Sequence, residues 1–311
     1  MAVTDAHGPP HAPVDTPGAS LPAAPLRAHV LAYLDLASGD GRDASHLVVP
    51  RLRFSAHHRP SLVAIWDGTP VAEALPAGHG DFAPLNLVAP TTRWFDVTVH
   101  GTLRALSVQF TARGARTLLG LPPLGVVDRA MPLADLLAGP VRRALADWVD
   151  ALAAAPSFGA RVAITDRVLS ELLRRRPSSV LSVPDPVGWV IDEVERRHGA
   201  VRIATLADAV GLPERTLRRR VRQELGMSLR HCARVVRARH AMAVLEAMPV
   251  PPRPQLDRPA TARLARLAVQ LGYCDQAHLT REFRALVGST PAGFASDVRP
   301  HDPAVVHRRG G

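Results

Sequence analysis

The sequence predicts an α+β protein with a β-rich N-terminal half and an all-helical C-terminal half. Three observations support this prediction. Residues 26–115 consist of short apolar runs broken by turns, residues 115–176 carry apolar residues at helical spacing, and residues 187–298 repeat a helix–glycine turn–helix pattern. At 311 residues, the chain is long enough for two domains with separate hydrophobic cores.

The first 25 residues are rich in Pro, Ala and His and predict a disordered leader. They lack the basic start and the apolar stretch of a signal peptide, and no run in the chain approaches the ~20 apolar residues of a membrane span. The two cysteines, Cys232 and Cys274, fall in predicted helical segments, which argues against a disulfide framework. We therefore expect a cytoplasmic protein.

Residues 26–115 predict a β-sandwich or a small barrel. Turn residues recur at intervals of about ten residues, as in such folds. Representative runs are HLVVPRLRF (46–54), SLVAIW (61–66), LNLVAP (85–90), FDVTVHG (95–101) and LRALSVQF (103–110).

Aromatic residues of this half are candidates for a ligand pocket, although aromatic residues in strands more often belong to a core. They are Phe54, Trp66, Trp94 and Phe95. Arginines lie nearby in the sequence at positions 51, 53 and 93. An anionic or aromatic ligand would fit this combination.

Residues 115–176 predict helices. One apolar face contains Leu145, Trp148, Val149 and Leu152, and a second contains Val162, Val168, Leu169, Leu172 and Leu173. The Pro- and Ser-rich stretch PSSVLSVPDP (177–186) predicts a linker between a 26–176 domain and a 187–298 domain. Residues 299–311 predict a disordered tail.

The C-terminal half contains two predicted helix-turn-helix units. The first spans Thr205–Leu225 and the second Ala262–Leu286. In each, a glycine (Gly211 or Gly272) can adopt the positive φ that ends the first helix. The second helix of each unit has a narrow core face, formed by Leu217 and Val221 or by Leu279 and Phe283. A second helix placed in this way can enter the DNA major groove.

A long helix is predicted between the two units, over SLRHCARVVRARHAMAVLEAM (228–248). Ser228 is a candidate N-cap, and Pro249 prevents its continuation. An opening helix over PVGWVIDEVERRHG (186–199) has Pro186 in its first turn and stops at Gly199.

The positive charge lies in the half with the two units. All 38 basic residues are arginines; residues 187–300 hold 19 Arg against 11 acids, whereas residues 1–186 hold 17 against 16. This localisation is what release of counterions from DNA phosphates requires.

The stretch from about residue 192 to 295 resembles the DNA-binding domain of AraC/XylS transcriptional regulators. GLPERTLRRRVRQELGMS (211–228) is similar to the first motif of the family, and LGYCDQAHLTREFRALVGSTPAGF (271–294) to the second, including Gly288, Pro291 and Phe294. Three features depart from the family. Pro213 replaces a capping Ser, Ala295 replaces a frequent Arg, and the connection 249–261 is unusually long.

The resemblance implies a sequence-specific transcriptional regulator without enzymatic activity, cofactor or metal. It implies an N-terminal cupin-like barrel with helices that binds a small-molecule effector and dimerises the chain. Residues 108–137 are similar to a linking region of some members. The implied partners are double-stranded DNA, an unidentified effector, RNA polymerase and a second copy of the chain, with no membrane.

Candidate DNA-contacting residues lie opposite the two core faces. Arginine paired with guanine is the commonest specific contact, and Gln can pair with adenine. The candidates are Arg215, Thr216, Arg218, Arg219 and Arg222 in the first unit and Gln276, His278, Thr280, Arg281 and Arg284 in the second.

Two other functions are alternatives. Histidines at positions 57, 58, 79 and 100 allow a cupin-type metalloenzyme with an accessory helical domain, but their spacing lacks an H-x-H followed by a carboxylate. A ligand-independent architectural DNA binder is the other alternative. No G-x-S-x-G elbow is present, and a lysine-free chain cannot form a Walker phosphate loop.

Overall fold

The computed structural model describes residues 18–38, 51–72, 80–177, 185–248, 258–297 and 307–308. A β domain with helices precedes an all-helical domain, so the predicted α+β class is confirmed.

The β domain contains one antiparallel sheet. Its strands are β1 (Ala19–Ser20), β2 (Val30–Ser38), β3 (Arg51–Phe54), β4 (Ser61–Ala72), β5 (Gly80–Asp81), β6 (Leu85–Val88), β7 (Phe95–Phe110), β8 (Ala130–Pro132) and β9 (His307–Arg308). The main path is β1-β2-β7-β4-β6-β8; β3 pairs with β7 and β9, and β5 pairs with β4.

The long strand β7 is a central strand of the sheet. It pairs with β4 along one edge, and with β3 and then β2 along the other. The sequence predicted two strands here, divided at Gly101 and Thr102. That prediction was wrong because β4 and its neighbours pair with residues on both sides of this glycine.

The two faces of the sheet have different roles, as the alternation of side chains along a strand requires. Leu62 and Leu106, both fully buried, pack against the helices of the β domain. Ile65 and Ala105 point to the opposite face, into a separate apolar cluster around a cavity.

Four helices complete the β domain: α1 (Gly114–Leu119), α2 (Leu133–Leu136), α3 (Gly139–Ala154) and α4 (Phe158–Arg174). The predicted face of α3 is buried, with Leu145, Trp148 and Leu152 at 0–1 % exposure. The Trp148 indole donates a 3.1 Å hydrogen bond to Thr165 on α4. On α4, Leu169 and Leu172 are buried, while the other predicted face residues are half-buried against the same core.

The helical domain contains α5 (Pro186–Arg196), α6 (Ile203–Ala209), α7 (Glu214–Leu225), α8 (Leu229–Glu246), α9 (Arg258–Gln270), α10 (Gln276–Val287) and α11 (Pro291–Asp297). Helices α6 and α7 form the first predicted helix-turn-helix, and α9 and α10 the second. Gly211 and Gly272 have φ of 64° and 77°, as their turns require.

Helix α8 belongs to two hydrophobic cores. Cys232 and Val236 pack with α5, α6 and α7, whereas Val235, Met242 and Leu245 pack with α9, α10 and α11. The Ser228 hydroxyl accepts a hydrogen bond from the His231 amide, which confirms the predicted cap. Because one helix contributes to both cores, it holds the two units at a fixed spacing.

The ends of the chain depart from the predicted disorder. Ala19–Ser20 pairs with β2, and Leu26 is fully buried, because this segment fills the core between the sheet and α4. In the predicted tail, His307–Arg308 pairs with β3. The rest of both segments, most of the predicted linker and Pro249 lie outside the described residues.

Candidate nucleic-acid interface and adjoining cavity

Helices α7 and α10, the second helices of their helix-turn-helix units, are predicted to contact DNA and are called the reading helices. The first is α7. Its N-cap, Pro213, has a φ of −57° and offers no side-chain hydrogen bond, as the departure from the family motif predicted. Leu217 and Val221 are fully buried. Gly226 ends the helix with a φ of 72°. Burial of one face leaves the opposite face to solvent.

The predicted candidates on α7 occupy that opposite face. Arg215, Arg218, Arg219 and Arg222 are exposed, and Thr216 is half-buried. The Arg218 guanidinium donates a 2.7 Å hydrogen bond to the Glu214 carboxylate one turn earlier. This pair orients Arg218 along the outer surface of the helix.

The second reading helix is α10. The Asp275 carboxylate caps it by accepting a 2.6 Å hydrogen bond from the His278 amide. Leu279 and Phe283 are fully buried. Arg281 and Arg284 are exposed. This helix therefore presents two cations and several polar groups where α7 presents four cations.

The half-buried candidates on α10 differ in what they can offer a ligand. The Thr280 hydroxyl donates to the Gln276 carbonyl at 2.8 Å, which leaves the hydroxyl lone pairs free. The His278 ring accepts from the Cys274 amide at 3.3 Å and packs edge-on against Tyr273. Gln276 is half-buried at the start of the helix.

The second unit is also fastened to α8 by polar contacts. Arg234 donates to both carboxylate oxygens of Glu282 on α10, at 2.6 and 2.9 Å. Arg237 donates to the Gly199 carbonyl at 2.9 Å and lies over the Tyr273 ring. The orientation of α10 relative to α8 is thus set by charge pairing as well as by packing.

The β domain contacts the helical domain at α5. Arg59, in the loop before β4, bonds Glu195 and Asp192 of α5. The His58 ring also bonds Glu195. Burial opposes ionisation of Glu195, but the Arg59 and His58 charges outweigh it and hold the Glu195 pKa below its usual range.

A second set of contacts reaches the ends of the reading helices. Arg53 donates to both oxygens of Asp96 and to the carbonyl of Gly288, the C-cap of α10, at 2.9 Å. A Cβ at Gly226, the C-cap of α7, would lie 2.5 Å from the Val126 backbone. Each reading helix therefore ends directly against the β domain.

A cavity of about 130 Å³ lies inside the β domain. Most of its wall is apolar. The lining residues include Leu34, Leu52, Phe54, Val63, Ile65, Phe82, Phe95, Val97, Leu103 and Ala105, with Ser55, His57, Ser61, Ser107, Gln109 and Arg239 as the polar members.

Arg239 is the member of this wall that comes from α8 of the helical domain. Its side chain is exposed, although it also lines the cavity. Arg239 forms no hydrogen bond or ion pair with another described residue. The sequence had assigned it only to the connector helix, since nothing in a helical pattern shows which residues line a cavity of another domain.

Two parts of the predicted ligand pocket need correction. Phe54 and Phe95 do line the cavity and stack at 5.2 Å. Trp66 and Trp94 do not: Trp66 packs on the helix side beside Arg161, and Trp94 lies under Arg53.

The source of positive charge also differs from the prediction. Arg53 is already paired with Asp96, and Arg93 is exposed away from the cavity wall. Arg239 of α8 is the arginine that lines the cavity instead.

Two of the candidate histidines are hydrogen-bonded to neighbouring residues. His57 bonds Thr91 at 2.7 Å, and His58 bonds Glu195; His79 lies outside the described residues. Within the described ranges, no three His, Cys, Asp or Glu side chains are grouped to hold a metal. Cys232 is buried in α8, whereas Cys274 lies exposed in the turn before α10 rather than in a helix.

Comparisons with known proteins give structural neighbours only. No protein-family model and no curated protein matches the chain. A 1.65 Å structure of ToxT from Vibrio cholerae is 9 % identical, with a TM-score of 0.46 over 79 % of this chain and 93 % of that chain. Wild-type ToxT bound to an unsaturated fatty acid is 10 % identical, with a TM-score of 0.46 over 85 % and 93 %.

The AraC-like transcriptional activator CuxR is 12 % identical, with a TM-score of 0.29 over 73 % of this chain and 85 % of that chain. The family resemblance therefore rests on the two motifs of this chain. None of the helices in the described ranges has the length and apolar character of a membrane span.

Proposed function

We propose that this protein is a sequence-specific, DNA-binding transcriptional regulator of AraC type. The observation that supports this most is the pair of reading helices, α7 and α10. Each has a fully buried core face and an outer face of arginines and polar groups. A single helix, α8, packs into both units.

Such an arrangement fits two successive major grooves on one face of DNA, about 34 Å apart. The outer faces of the two helices would contact different bases. The arginines of α7 favour guanine. On α10, the Gln276 amide can pair with adenine, and the Thr280 hydroxyl can bond to either base pair. Arg222 and Arg284 lie in the last turns of their helices and would contact phosphates.

The N-terminal domain, which we take to begin before the predicted boundary at residue 26, would act as a sensor and a dimerisation domain. Its cavity supports a small-molecule effector. Contacts of Arg53 and Arg59 with the helical domain provide a route by which a ligand could bias the orientation of the reading helices. Dimerisation and contact with RNA polymerase follow the family resemblance.

Binding of the purified full chain to fragments of its own genome, at near-physiological salt, tests the proposal. We expect a recurrent motif with two blocks about one helical turn apart. Diffuse, strongly salt-dependent binding with no recurrent motif would mean that the arginines bind phosphates without contacting base edges. A variant with Gln at positions 215, 218 and 219 is the matched control, since these exposed changes leave both cores intact.

A further inference from the structure

We infer that His231 of α8 is a positioning residue for the second reading helix: its neutral ring holds Arg234 against Glu282 of α10, so that acid weakens the DNA contacts of α10 and not those of α7. This inference rests on the proposed function and extends it. It adds a residue outside both reading helices, and it names a condition, acidity, to which one of the two units responds.

The contacts of the His231 ring determine which of its nitrogens carries the proton. Nε2 lies 3.0 Å from the carbonyl oxygen of Thr92 in the β domain. A carbonyl only accepts hydrogen bonds, so Nε2 is the protonated nitrogen. Nδ1 lies 3.3 Å from Nη1 of Arg234, and a guanidinium only donates. Both contacts are therefore satisfied by one form of the ring, the neutral Nε2–H tautomer.

The acceptor in the β domain is itself held by hydrogen bonds. Thr92 donates from its amide and from its hydroxyl to the two carboxylate oxygens of Asp128, both at 2.6 Å. Asp128 is buried, and its amide donates to the Pro90 carbonyl at 2.8 Å. The Thr92 carbonyl is therefore a fixed acceptor for the His231 ring.

Arg234 connects His231 to the second reading helix. Its Nε and Nη2 donate to the two carboxylate oxygens of Glu282 on α10, at 2.6 and 2.9 Å, while Nη1 donates to His231. A bidentate pair of this kind fixes direction as well as distance. Burial opposes ionisation of Glu282, but the Arg234 contacts outweigh it and hold the Glu282 pKa below its usual range. Glu282 adjoins Arg281, an exposed candidate for DNA contact, so its position matters to the reading face.

The charges around His231 keep the ring neutral at pH 7. Burial and then the Arg234 charge lower the pKa of His231 below its ordinary value of 6.5. The Thr92 carbonyl, Asp128 of the β domain and Glu282 of α10 act in the opposite direction without cancelling this effect. The ring therefore becomes charged only as the pH falls below 6.5.

Protonation of His231 would disrupt the contact with α10. Nδ1 would then carry a proton that points at the Arg234 guanidinium, so the hydrogen bond is lost and two positive charges face each other. Arg234 has to move, which weakens its pair with Glu282. Among the described residues, the hydrogen bonds of the His231 ring do not reach α7. That helix meets the β domain through Arg116, which bonds Glu224.

NMR of the full chain with ¹⁵N-labelled histidine tests the contact without DNA. The signals of His231 are those that His231→Gln removes. We expect the neutral Nε2–H tautomer at about pH 7.5 and the charged ring only below about pH 6.5. Arg234→Gln removes the neighbouring charge, so the ring should become charged at a higher pH. The Nδ1–H tautomer, or an unchanged His231 titration in Arg234→Gln, would overturn the inference.

Hydroxyl-radical footprinting on the operator recovered from the genome measures the two reading helices separately. The α10 block is the one that Arg281→Ala weakens. His231→Gln retains a donor for Thr92 but lacks the acceptor at the Nδ1 position, and it does not titrate. We expect this variant to bind the α10 block about fivefold more weakly at neutral pH, with the α7 block unchanged. In acid, below about pH 6.5, only the wild type should lose further protection of the α10 block.

His240→Gln is the matched control. His240 lies on the same helix, and burial lowers its pKa as well, so this variant should keep the acid response of the wild type. Two blocks that fade together in acid would overturn the inference, and so would an unchanged α10 block in His231→Gln. Failure to recover any operator rejects the proposed function and with it the role in DNA reading, whereas the NMR result decides the His231–Arg234 contact separately.

Discussion

Arg59 and Glu195 form a bidentate ion pair across the boundary between the two domains. The Arg59 Nε lies 2.6 Å from Oε1 of Glu195, and Nη2 lies 2.5 Å from Oε2. Both side chains are shielded, with exposures of 5 % and 19 %. Removal of either partner would leave the other charge shielded without this ion pair, so the pair should stabilise the docked halves.

Substitution of Arg59 should therefore loosen the docked domains. We expect Arg59→Ala to lower the free energy of unfolding by about 3 kcal/mol, since the shielded Glu195 carboxylate then keeps the His58 ring but loses its guanidinium partner. Urea denaturation followed by circular dichroism measures this. Arg174→Ala breaks an exposed pair with Glu171 and should leave the unfolding curve nearly unchanged. Equal unfolding curves for Arg59→Ala and wild type would contradict the claim that the Arg59–Glu195 ion pair stabilises the docked domains.

Acid should destabilise the protein through His57. Burial, with the Arg239 and His58 charges, lowers the pKa of His57 to about 3, whereas the unfolded side chain titrates near 6.5. Between the folded pKa of about 3 and the unfolded pKa of about 6.5, the His57 ring takes up a proton only in the unfolded chain. The contribution of His57 to the free energy of unfolding is therefore complete above about pH 6.5. It falls as the pH drops toward 3, by at most about 1.4 kcal/mol per pH unit.

A pH series of thermal unfolding checks the His57 contribution. Burial also lowers the pKa values of His58 and His231, so several groups contribute to the slope. Between pH 4 and 6, His57→Gln should reduce the slope of the free energy of unfolding against pH by the equivalent of up to one bound proton. An unchanged slope in this variant would mean that His57 is protonated in the folded protein.

Close approach of the domains should make Gly226 more sensitive to substitution than Gly211. Both have positive φ, 72° and 64°, so alanine at either site costs about 1 kcal/mol of backbone strain. At Gly226, a Cβ would also meet the Val126 backbone at 2.5 Å, whereas at Gly211 no described atom lies within 4 Å. We expect a clearly lower Tm for Gly226→Ala. Equal Tm values would show that the α7 end is not held against the β domain.

Arg218 should read a base rather than only a phosphate. Its guanidinium is exposed and oriented by Glu214. We expect Arg218→Ala to lower affinity for the operator by about 1–3 kcal/mol, and affinity for unrelated DNA far less. Arg143→Ala, an exposed change on α3, is the control. Equal losses at every sequence, with a salt slope smaller by about one, would assign Arg218 to a phosphate.

Local patterns in the sequence predicted the helical half closely. Spacing alone identified Leu217, Val221, Leu279 and Phe283 as core, and all four are fully buried. These patterns are reliable because each depends on residues three or four positions apart on one helix. Capping by Ser228 and the turn at Gly211 are equally local.

Features that depend on distant parts of the chain could not be predicted. Gly101 was taken as a turn, but pairing with β4 on both sides of it continues the strand. Arg239 has the same local pattern as the exposed arginines, and only the docked β domain makes it part of a cavity wall. The tie between Arg59 and Glu195 spans 136 positions, and no spacing rule connects them.

Hydroxyl-radical footprinting on the recovered operator tests the central claim, that α7 and α10 read DNA as separate units on one rigid frame. We predict two protected blocks on one face, about one helical turn apart. Arg218→Ala should weaken one block and Arg281→Ala the other. A single continuous block, or two blocks that fade together in either variant, would contradict the account.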